Sequence, residues 1–528
     1  MSAKQKIPVL IVGAGPAGLA LALWLKKSGV GLRIIDKAAA PAKDSCAVMI
    51  HARTLEFYQQ LGIADEIIAA SRPISDIRFH FNKRGTTPVR LQGYPKSNSA
   101  FPAMVVVAQD VHEKILVDKL KSLNVTIERN LELKKLTQAK YQVESLIVGK
   151  NSEQVINSTY LCACDGAEST VRRILGVKFF QKSFHQDFFI AEVVAPNSAT
   201  ETSNSINIHL SRFNASISIP LKEPDTLRVM GIVPKESKNK DNLSFVNISD
   251  EVFRGSSLKF DDVLWFSVNK VNQRVASHIH QSRTFLIGDA AHIHSPSFSQ
   301  GMNAGIGDAI NLSWKLSAVL KGQAASKILL TFETERIVFA ERLNRVSDRF
   351  FYFISGRNLF GALGRAALVP LFLRIFRNFR PIYTYLYKFL SQTGLHYRES
   401  LLSEGATGRL RAGDRLPWLR TDTFDNYDCL NAMAWHIQIY GDTHSNFNSV
   451  ANFRGFRIFE FSWSKEAEAL GFAHDAFYLI RPDGHIALCD LRQNTSVLKT
   501  YLNEWDIDHS RNVKAERSPD TFHLENQI

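Results

Sequence analysis

The sequence predicts an α/β protein: a Rossmann-like body built on a parallel sheet, an inserted antiparallel sheet, and a separate α/β domain at the C-terminus. Three observations predict it. Residues 7–36 read as strand, glycine turn, helix and strand. Residues 176–280 are strand-rich with near-alternating apolar positions, as in a sheet with one covered face. The character of the chain changes again near residue 410, which leaves roughly 110–120 residues, a usual domain size.

Each part of the first unit has a physical reason. Ile7 to Val12 form a short apolar run suited to a buried parallel strand. Gly13-Ala14-Gly15-Pro16-Ala17-Gly18 follows, then a helix from Leu19 to Lys27, then a second apolar run, Leu32 to Ile35, that ends in Asp36 and Lys37. Gly13 permits the tight turn, Gly15 lets the backbone approach a pyrophosphate, and Gly18 lets helix and strand pack closely. The helix N-terminus offers N–H groups and a positive dipole end to phosphates. Asp36, 18 residues past Gly18, is placed to accept hydrogen bonds from a ribose hydroxyl. These residues predict a dinucleotide site and leave FAD and NAD(P) both open.

With 528 residues the chain has room for two to four domains. Its 45% hydrophobic and 22% charged content is that of an ordinary globular protein. No run approaches the roughly 18 apolar residues of a membrane span, and MSAKQK leads into the first strand without the apolar region of a secretory signal. The five cysteines (46, 162, 164, 429 and 489) show no CxxC and no metal spacing. That predicts a reducing, cytoplasmic setting, with no disulfide framework and no metal. The net charge of +13 favours anionic partners such as NAD(P)H, nucleic acid or a membrane surface. No Lys/Arg block is dense enough for a nucleic-acid footprint, so a solvated basic surface is the favoured reading.

Further along, HARTLEFYQQLGIADEIIAA reads as a helix that starts near Arg53, with Leu55, Tyr58, Leu61 and Ile63 on or near one face. Residues 76–108 read as strands with turns at Arg84-Gly85 and Tyr94-Pro95. Gln109 opens a helix that runs to about Leu123, and residues 124–164 alternate as strands. Phe285 to Ile287 supply one more buried strand, followed by helices over 303–320 and 325–350. The second of these carries Glu333, Glu335, Arg336, Glu341 and Arg342 on polar faces.

Residues 351–393 interleave Phe, Leu and Tyr with Arg357, Arg365, Arg374, Arg377, Arg380 and Lys388. They read either as packed helices with snorkelling cations or as a weak peripheral membrane contact. Pro370 and Pro381 break the segment and favour packing. Beyond residue 410, Arg481-Pro482-Asp483-Gly484 is turn chemistry between two strands. The stretch after about 508 is polar and reads as frayed.

Three separated motifs decide the ligand: the turn at 13–18; Asp165-Gly166-Ala167-Glu168-Ser169-Thr170-Val171-Arg172; and Gly288-Asp289-Ala290-Ala291-His292 running through His294 and Pro296-Ser297-Phe298-Ser299-Gln300-Gly301-Met302-Asn303 to Asp308 and Trp314-Lys315-Leu316. In this order, with the RTLE helix, they resemble the group A flavoprotein monooxygenases, the FAD-dependent aromatic hydroxylases. The branch they resemble is that of phenol hydroxylase and the polyketide hydroxylases. The resemblance covers nearly the whole chain and implies an FAD-binding domain of residues 1–75, 101–175 and 281–350. It implies a substrate-binding sheet domain of 76–100 and 176–280, a helical connector of 351–409, and a thioredoxin-like C-terminal domain of 410–528.

Carried over residue by residue, the resemblance implies that Gly13, Gly15, Ala17, Gly18, Asp36 and Lys37 hold the ADP half of FAD. Arg53 and Gln109 match positions at the flavin phosphates and ribityl region. Gly288 and Asp289 match the ribityl anchor, and Pro296, Gly301, Met302 and Asn303 the loop and helix start beside the flavin ring. Asp165 and Arg172 match a motif linked to both FAD and NAD(P)H; alternatively Asp165 merely ends a strand and bonds the next turn. Pro296 and His209, the latter on a strand of the inserted sheet, are the candidates at the reacting centre.

His292 and His294 read either as acid/base groups or as structural hydrogen-bond partners, and Cys162 and Cys164 as packing. The implied activity is hydroxylation of an aromatic or polycyclic hydrophobic small molecule, with NAD(P)H and O2 as co-substrates, through a C4a-hydroperoxyflavin. The alternatives are a reductase or epoxidase of the same fold, or a membrane-docked flavoprotein without hydroxylase activity. A monomer and a homodimer are both compatible with the sequence. Two positions depart from the pattern. Val48 replaces the aspartate that activates the phenol in phenol hydroxylase, and Ser299 stands where the family commonly has glycine.

Overall fold

A computed structural model describes residues 6–41, 49–81, 86–90, 99–196, 204–210, 215–234, 243–253, 258–294, 300–355 and 380–511, and every count and absence below is of these. Val48, Arg84-Gly85, Tyr94-Pro95, Pro296, Ser299, Arg357, Arg365, Pro370, Arg374 and Arg377 lie outside the described residues.

β1 (Ile7–Val12) is the middle of the first sheet because it carries no side chain that needs water. It pairs in parallel with β2 (Leu32–Asp36) on one side and with the strand Glu153–Ala163 on the other. The order runs His280–Gln281, Thr284–Leu286, Glu153–Ala163, β1, β2, Ile127–Arg129. A hairpin, Glu132–Gln138 and Val143–Val148, is added antiparallel to Glu153–Ala163. Between β1 and β2 lies α1 (Pro16–Lys27), whose residues Gly18 to Leu25 are all buried.

The single helix expected over 52–70 is two, α2 (Ala52–Leu61) and α3 (Ala64–Ala70). Gly62 takes a left-handed conformation, φ 71°, and terminates the first. α4 (Gln109–Ser122) and α5 (Thr170–Ile174) complete the near half of the body.

The second sheet has eight strands. Their order is His292–Ile293, Asp262–Ala276, Phe179–Val194, Thr226–Ile232, Ala215–Pro220, Ser205–Leu210, Asp76–His80, Thr86–Arg90. All neighbours are antiparallel except Ser205–Leu210 with Asp76–His80. One face, with Ile190, Ile206, Ile208 and Leu210, packs with Met104 and Val106 of the body. The opposite face, with Phe189, Ala191, Val193 and Val229, packs on α6 (Phe245–Val252). Both faces are therefore covered, not one, which is why the apolar alternation in the sequence is imperfect.

α7 (Gln300–Leu320) begins three residues before the expected start, and α8 (Thr331–Ser355) follows a short 3-10 turn. α9 (Arg380–Leu390) includes Pro381. Tyr387 and Leu390 of α9 join the sheet-facing core, as the packed-helix reading expects of this end of the segment. No described helix is long and apolar enough to cross a membrane.

The C-terminal unit is a four-stranded sheet in the order Arg457–Phe461, His436–Tyr440, Phe477–Ile480, Ile486–Asp490. The first pair is parallel and the others antiparallel. Its helices are α10 (Ser445–Phe453), α11 (Lys465–Leu470) and α12 (Thr495–Trp505). The turn at 481–484 lies against α2, where Gln60 donates to the carbonyls of Leu430 and Pro482, both at 3.2 Å. That contact explains why nine of the ten residues of α2 are buried, polar ones included.

Candidate active site

The glycine turn is built as close packing requires. Gly13 has φ 104°, and a Cβ there would lie 2.2 Å from the Cys164 carbonyl oxygen. A Cβ on Gly18 would lie 2.1 Å from the Gly13 oxygen. Gly15 differs: nothing among the described residues comes within 4 Å of its Cβ position, and no described side chain caps the helix N-terminus it precedes. Asp36 braces the turn. Its Oδ2 accepts the Ala14 N–H and its Oδ1 the Ala38 N–H, both at 2.7 Å, and Arg129 Nη1 stands 3.4 Å from Oδ2. A carboxylate has about four acceptor positions, so capacity for ribose hydroxyls remains. Lys37 is exposed at the rim.

The third motif meets the first through small residues. A Cβ on Gly288, φ 61°, would approach Ala17 Cβ at 3.3 Å, and one on Gly305 would approach Gly288 Cα at 3.0 Å. Asp289 follows in a 3-10 turn with its side chain open to water, and nothing described hydrogen-bonds its carboxylate. Enough protein surrounds the carboxyl that desolvation pushes its pKa up, and Asp308 adds to this against the opposing effect of His292. An unpartnered, exposed carboxylate in the segment that packs on an open glycine turn suits a ligand with phosphates at one end and hydroxyls along its length. The chain therefore fits FAD.

The second motif joins the two by internal bonds. Asp165 accepts from Ser169 Oγ at 2.6 Å and from the Val171 N–H at 3.1 Å, and burial raises its pKa despite them. Ser169 caps α5 by accepting the Arg172 N–H. Arg172 donates to the carbonyls of Ala290 at 3.0 Å and Ala167 at 2.8 Å, with its guanidinium 3.8 Å over the Phe179 ring. In the described contacts Asp165 ends a strand and bonds the next turn, while Arg172 ties that turn to the Asp289 segment.

Gly301 and Met302 lie half-buried in the first turn of α7. Asn303 accepts the His51 N–H at 3.0 Å and Thr54 Oγ1 at 2.8 Å, and donates to the Met49 carbonyl at 2.9 Å. Its side chain thus fastens α7 to the start of α2, and its backbone is what remains for a flavin. Arg53 turns toward the C-terminal unit. It donates to Glu56 at 2.8 Å and to the Asp483 carbonyl, and lies 3.4 Å from His485 Nδ1. Burial alone would raise the Glu56 pKa, but Arg415 and Arg53 outweigh it and hold the carboxyl below its usual range. Gln109 donates to Glu113 within α4 at 2.8 Å.

His209 is displaced from the expected place. It stacks on His80 at 4.7 Å, approaches Ser218 at 3.3 Å and meets Phe253 edge-on at 5.7 Å. Phe253 belongs to the α6-covered face, so His209 points away from the face packed on the body. A strand's period of two puts Ile208 and Leu210 on the body side and His209 on the other.

His292 and His294 form a buried chain. His292 Nε2 is 2.7 Å from Asp308 Oδ2, His292 Nδ1 is 2.8 Å from His294 Nε2, and His294 Nδ1 is 2.6 Å from Asn344 Oδ1. Asp308 also accepts the Gly288 N–H at 3.0 Å and Arg336 Nε at 2.6 Å. Burial opposes its ionisation, yet His292 and Arg336 hold it at about 2. Burial and the neighbouring His292 push His294 down to about 3.

The sign of the resulting pH dependence follows. Unfolded, His294 takes up its proton near pH 6.5; folded, it does not until about 3. Between these values the unfolded chain binds more protons, so stability present above pH 6.5 is lost as the pH falls. The melting temperature will drop from pH 7 to pH 5. His294→Gln will flatten that slope by up to about 1.4 kcal/mol per pH unit. An unchanged slope in a pH series of thermal melts would show that His294 is not held neutral.

Two residues inside the quoted motifs were given no individual reading from sequence. Glu56 is the shared carboxylate of Arg53 and Arg415, and its signal was an acid three residues after an arginine in an otherwise packed helix. Gln300 is 1% exposed with neither amide atom hydrogen-bonded, and no sequence pattern marks that.

Residues 6–347 match the family described as FAD binding domain. The 6-methylpretetramide 4-monooxygenase of Streptomyces rimosus is 32% identical over 419 residues, 77% of this chain and 72% of that one. Pentachlorophenol 4-monooxygenase of Sphingobium chlorophenolicum is 29% identical over 343 residues, 63% and 62%. Among solved structures, the OxyS anhydrotetracycline hydroxylase from Streptomyces rimosus superposes with a TM-score of 0.77 at 24% identity, covering 95% of this chain and 99% of that one, a likeness of fold.

Proposed function

The chain belongs to the FAD binding domain family and is an FAD-dependent monooxygenase of the aromatic hydroxylase class; from that premise we propose that it hydroxylates a polycyclic aromatic substrate with NAD(P)H and O2. The relatives' named activities speak for hydroxylation over a reductase or epoxidase reaction. The 32% identical relative, named for 6-methylpretetramide, favours a fused-ring substrate.

The observation that carries the cofactor part of this reading is the unbonded Asp289 carboxylate, in the segment that packs on Ala17 of the glycine turn, together with the open Cβ position of Gly15. FAD, when bound, supplies the hydride acceptor and the oxygen chemistry. The chain supplies placement. Gly15 and the first turn of α1 receive the pyrophosphate, and Asp36 the ribose. Asp289 accepts from ribityl hydroxyls. The backbone N–H groups of Gly301 to Asn303, at the start of α7, face negative charge on the ring edge.

The C-terminal unit is in this reading a thioredoxin-like domain, supported by its strand order of second, first, third, fourth. Its role is structural: Cys429 and Cys489 are free and buried, with burial pushing each thiol up to about 12. A cytoplasmic setting rests on the cysteine usage.

Two measurements test the proposal. Asp289→Ala will weaken FAD binding about ten- to hundredfold, since charge-assisted hydrogen bonds are worth about 1.5–3 kcal/mol each, with the melting curve of the apoprotein unchanged. Equal retention of flavin through gel filtration would remove Asp289 from the role. Nucleotide oxidation screened against phenols, anthraquinones and tetracycline-like compounds will yield, for a fused-ring compound, a product heavier by one oxygen atom. Oxidation without such a product across the panel would reject the substrate assignment.

A further inference from the structure

We propose that the cleft between α8 and α9 receives the reduced pyridine nucleotide, with its phosphates on Arg342, Arg345 and Lys388 and its carboxamide at Gln300. The inference rests on the proposed use of NAD(P)H and adds the place where the nucleotide sits.

The cleft measures about 490 Å³, within the range of roughly 300–1,000 Å³ common to small-molecule sites. Gln300 lines it and is itself 1% exposed, with Oε1 and Nε2 both unpartnered. A primary amide presents donor and acceptor side by side in one plane, and a second carboxamide completes it with two hydrogen bonds. Gln300 is also the first described residue of α7, directly before Gly301, Met302 and Asn303. A carboxamide bound there stands beside the segment assigned to the flavin ring, where a hydride donor has to be.

The walls and rim suit the rest of the same molecule. Tyr385 and Phe389 of α9 offer aromatic faces for flat bases, and Phe339 of α8, with Arg336 4.4 Å over one side of its ring, offers the other. Lys388 is exposed and has no ion-pair partner among the described residues. Arg345 bonds only a carbonyl of its own helix, Glu341, at 3.4 Å. Arg342 pairs with Glu399 at 2.8 Å across partly exposed side chains, a contact of at most about 1 kcal/mol that solvent screens and that a phosphate can displace. Three cations against one carboxylate select for an anion. A pyridine dinucleotide brings a pyrophosphate, two flat bases and one carboxamide. The second motif offers less for this task, because Asp165 and Arg172 are engaged with Ser169 and backbone groups.

The test uses the FAD-loaded full chain. Calorimetric titration with NADP+ measures binding without turnover, and anaerobic bleaching of the flavin by NADPH and NADH measures affinity and limiting rate separately. Arg342→Gln/Lys388→Gln will weaken NADP+ binding and raise the apparent Kd for NADPH at least tenfold, with flavin content and limiting bleaching rate within twofold of the parent. Gln300→Leu will lower the limiting rate at saturating nucleotide by tenfold or more, because the carboxamide is no longer oriented. Both variants binding NADP+ and NADPH within twofold of the parent would overturn the proposal. So would a loss confined to the aromatic substrate, which would assign the cleft to that substrate. A parent protein bleached by neither nucleotide would overturn the NAD(P)H reading as well, so the two failures are distinguishable.

Discussion

Gly15→Val will purify as a folded, colourless protein. The backbone at residue 15 is extended, φ −78° and ψ −177°, a conformation open to any L residue, and its Cβ position meets no described atom within 4 Å. Two added methyl groups therefore leave the internal packing as it is and fill the space that a pyrophosphate crosses on its way to the α1 N-terminus. FAD affinity will fall at least hundredfold, while the melting temperature stays within a few degrees of flavin-stripped parent protein. Gly13→Ala will behave in the opposite way. There φ is 104° and the new Cβ would sit 2.2 Å from a backbone oxygen of the neighbouring strand, so β1 and Glu153–Ala163 have to separate. Strain of about 1–3 kcal/mol and overpacking of about 1–3 kcal/mol act together on the centre of the sheet, and the variant will lose fold and flavin at once. Absorbance in the flavin band and a melting curve on each protein separate the outcomes. A yellow Gly15→Val with one flavin per chain would mean that the phosphates do not pass over this turn.

The contrast between these two glycines also marks how far the sequence could be read. Residues 7–36 were legible because their structure is local: three glycines, two apolar strands and a terminal acid impose one geometry. The packing of Cys162 between Ile11 and Phe285 followed from the same alternation. What stayed hidden depends on contacts distant in sequence. Glu335 and Arg336 were assigned to the polar faces of a surface helix, but both are buried, at 4% and 1% exposure. Their partners come from elsewhere: Asp308 lies 28 residues before Arg336, and Arg481 lies 146 residues after Glu335. No periodicity announces such a pair. The one local signal was Lys315, a lysine set in the apolar run of α7, where a cation has to have a carboxylate waiting. His209 was misplaced for a similar reason. A strand buried on both faces carries no polarity difference to tell one face from the other.

The same hidden contacts carry the second large effect, in Arg481→Met. Arg481 donates to Glu335 at 2.8 and 3.0 Å and to Asp483 at 3.0 and 2.6 Å. Glu335 also receives Lys315 at 2.9 Å, Asn311 at 2.6 Å and Ser400 at 2.7 Å, and Asp483 receives Trp314 Nε1 at 3.1 Å. Two anions and two cations thus balance without water, joining α7 and α8 to the turn at 481–484. Burial works against the charge on Glu335, yet Arg481 and Lys315 hold its pKa at about 2. Removing Arg481 leaves two carboxylates facing one lysine, and stranding a buried charge costs about 3–5 kcal/mol.

That cost depends on pH with a definite sign. The folded pKa of Glu335 lies below its unfolded value, so its stabilisation is present above about pH 4.5 and lost as the pH falls toward 2. The deficit of Arg481→Met will therefore be full at pH 7 and shrink below pH 4.5, where protonation relieves the orphaned acids. Arg481→Met/Glu335→Gln, which leaves Lys315 and Asp483 as one opposite pair, will recover part of the loss at pH 7. Because the Asp483 carbonyl also receives Arg53 from α2, with His485 Nδ1 3.4 Å from the same guanidinium, weakening this turn loosens the C-terminal unit from α2. Limited proteolysis will then cut the variant near residue 410 before the body is attacked. Urea unfolding that places Arg481→Met within 1 kcal/mol of the parent at pH 7, with proteolysis unchanged, would show that this buried cluster does not hold the two units together.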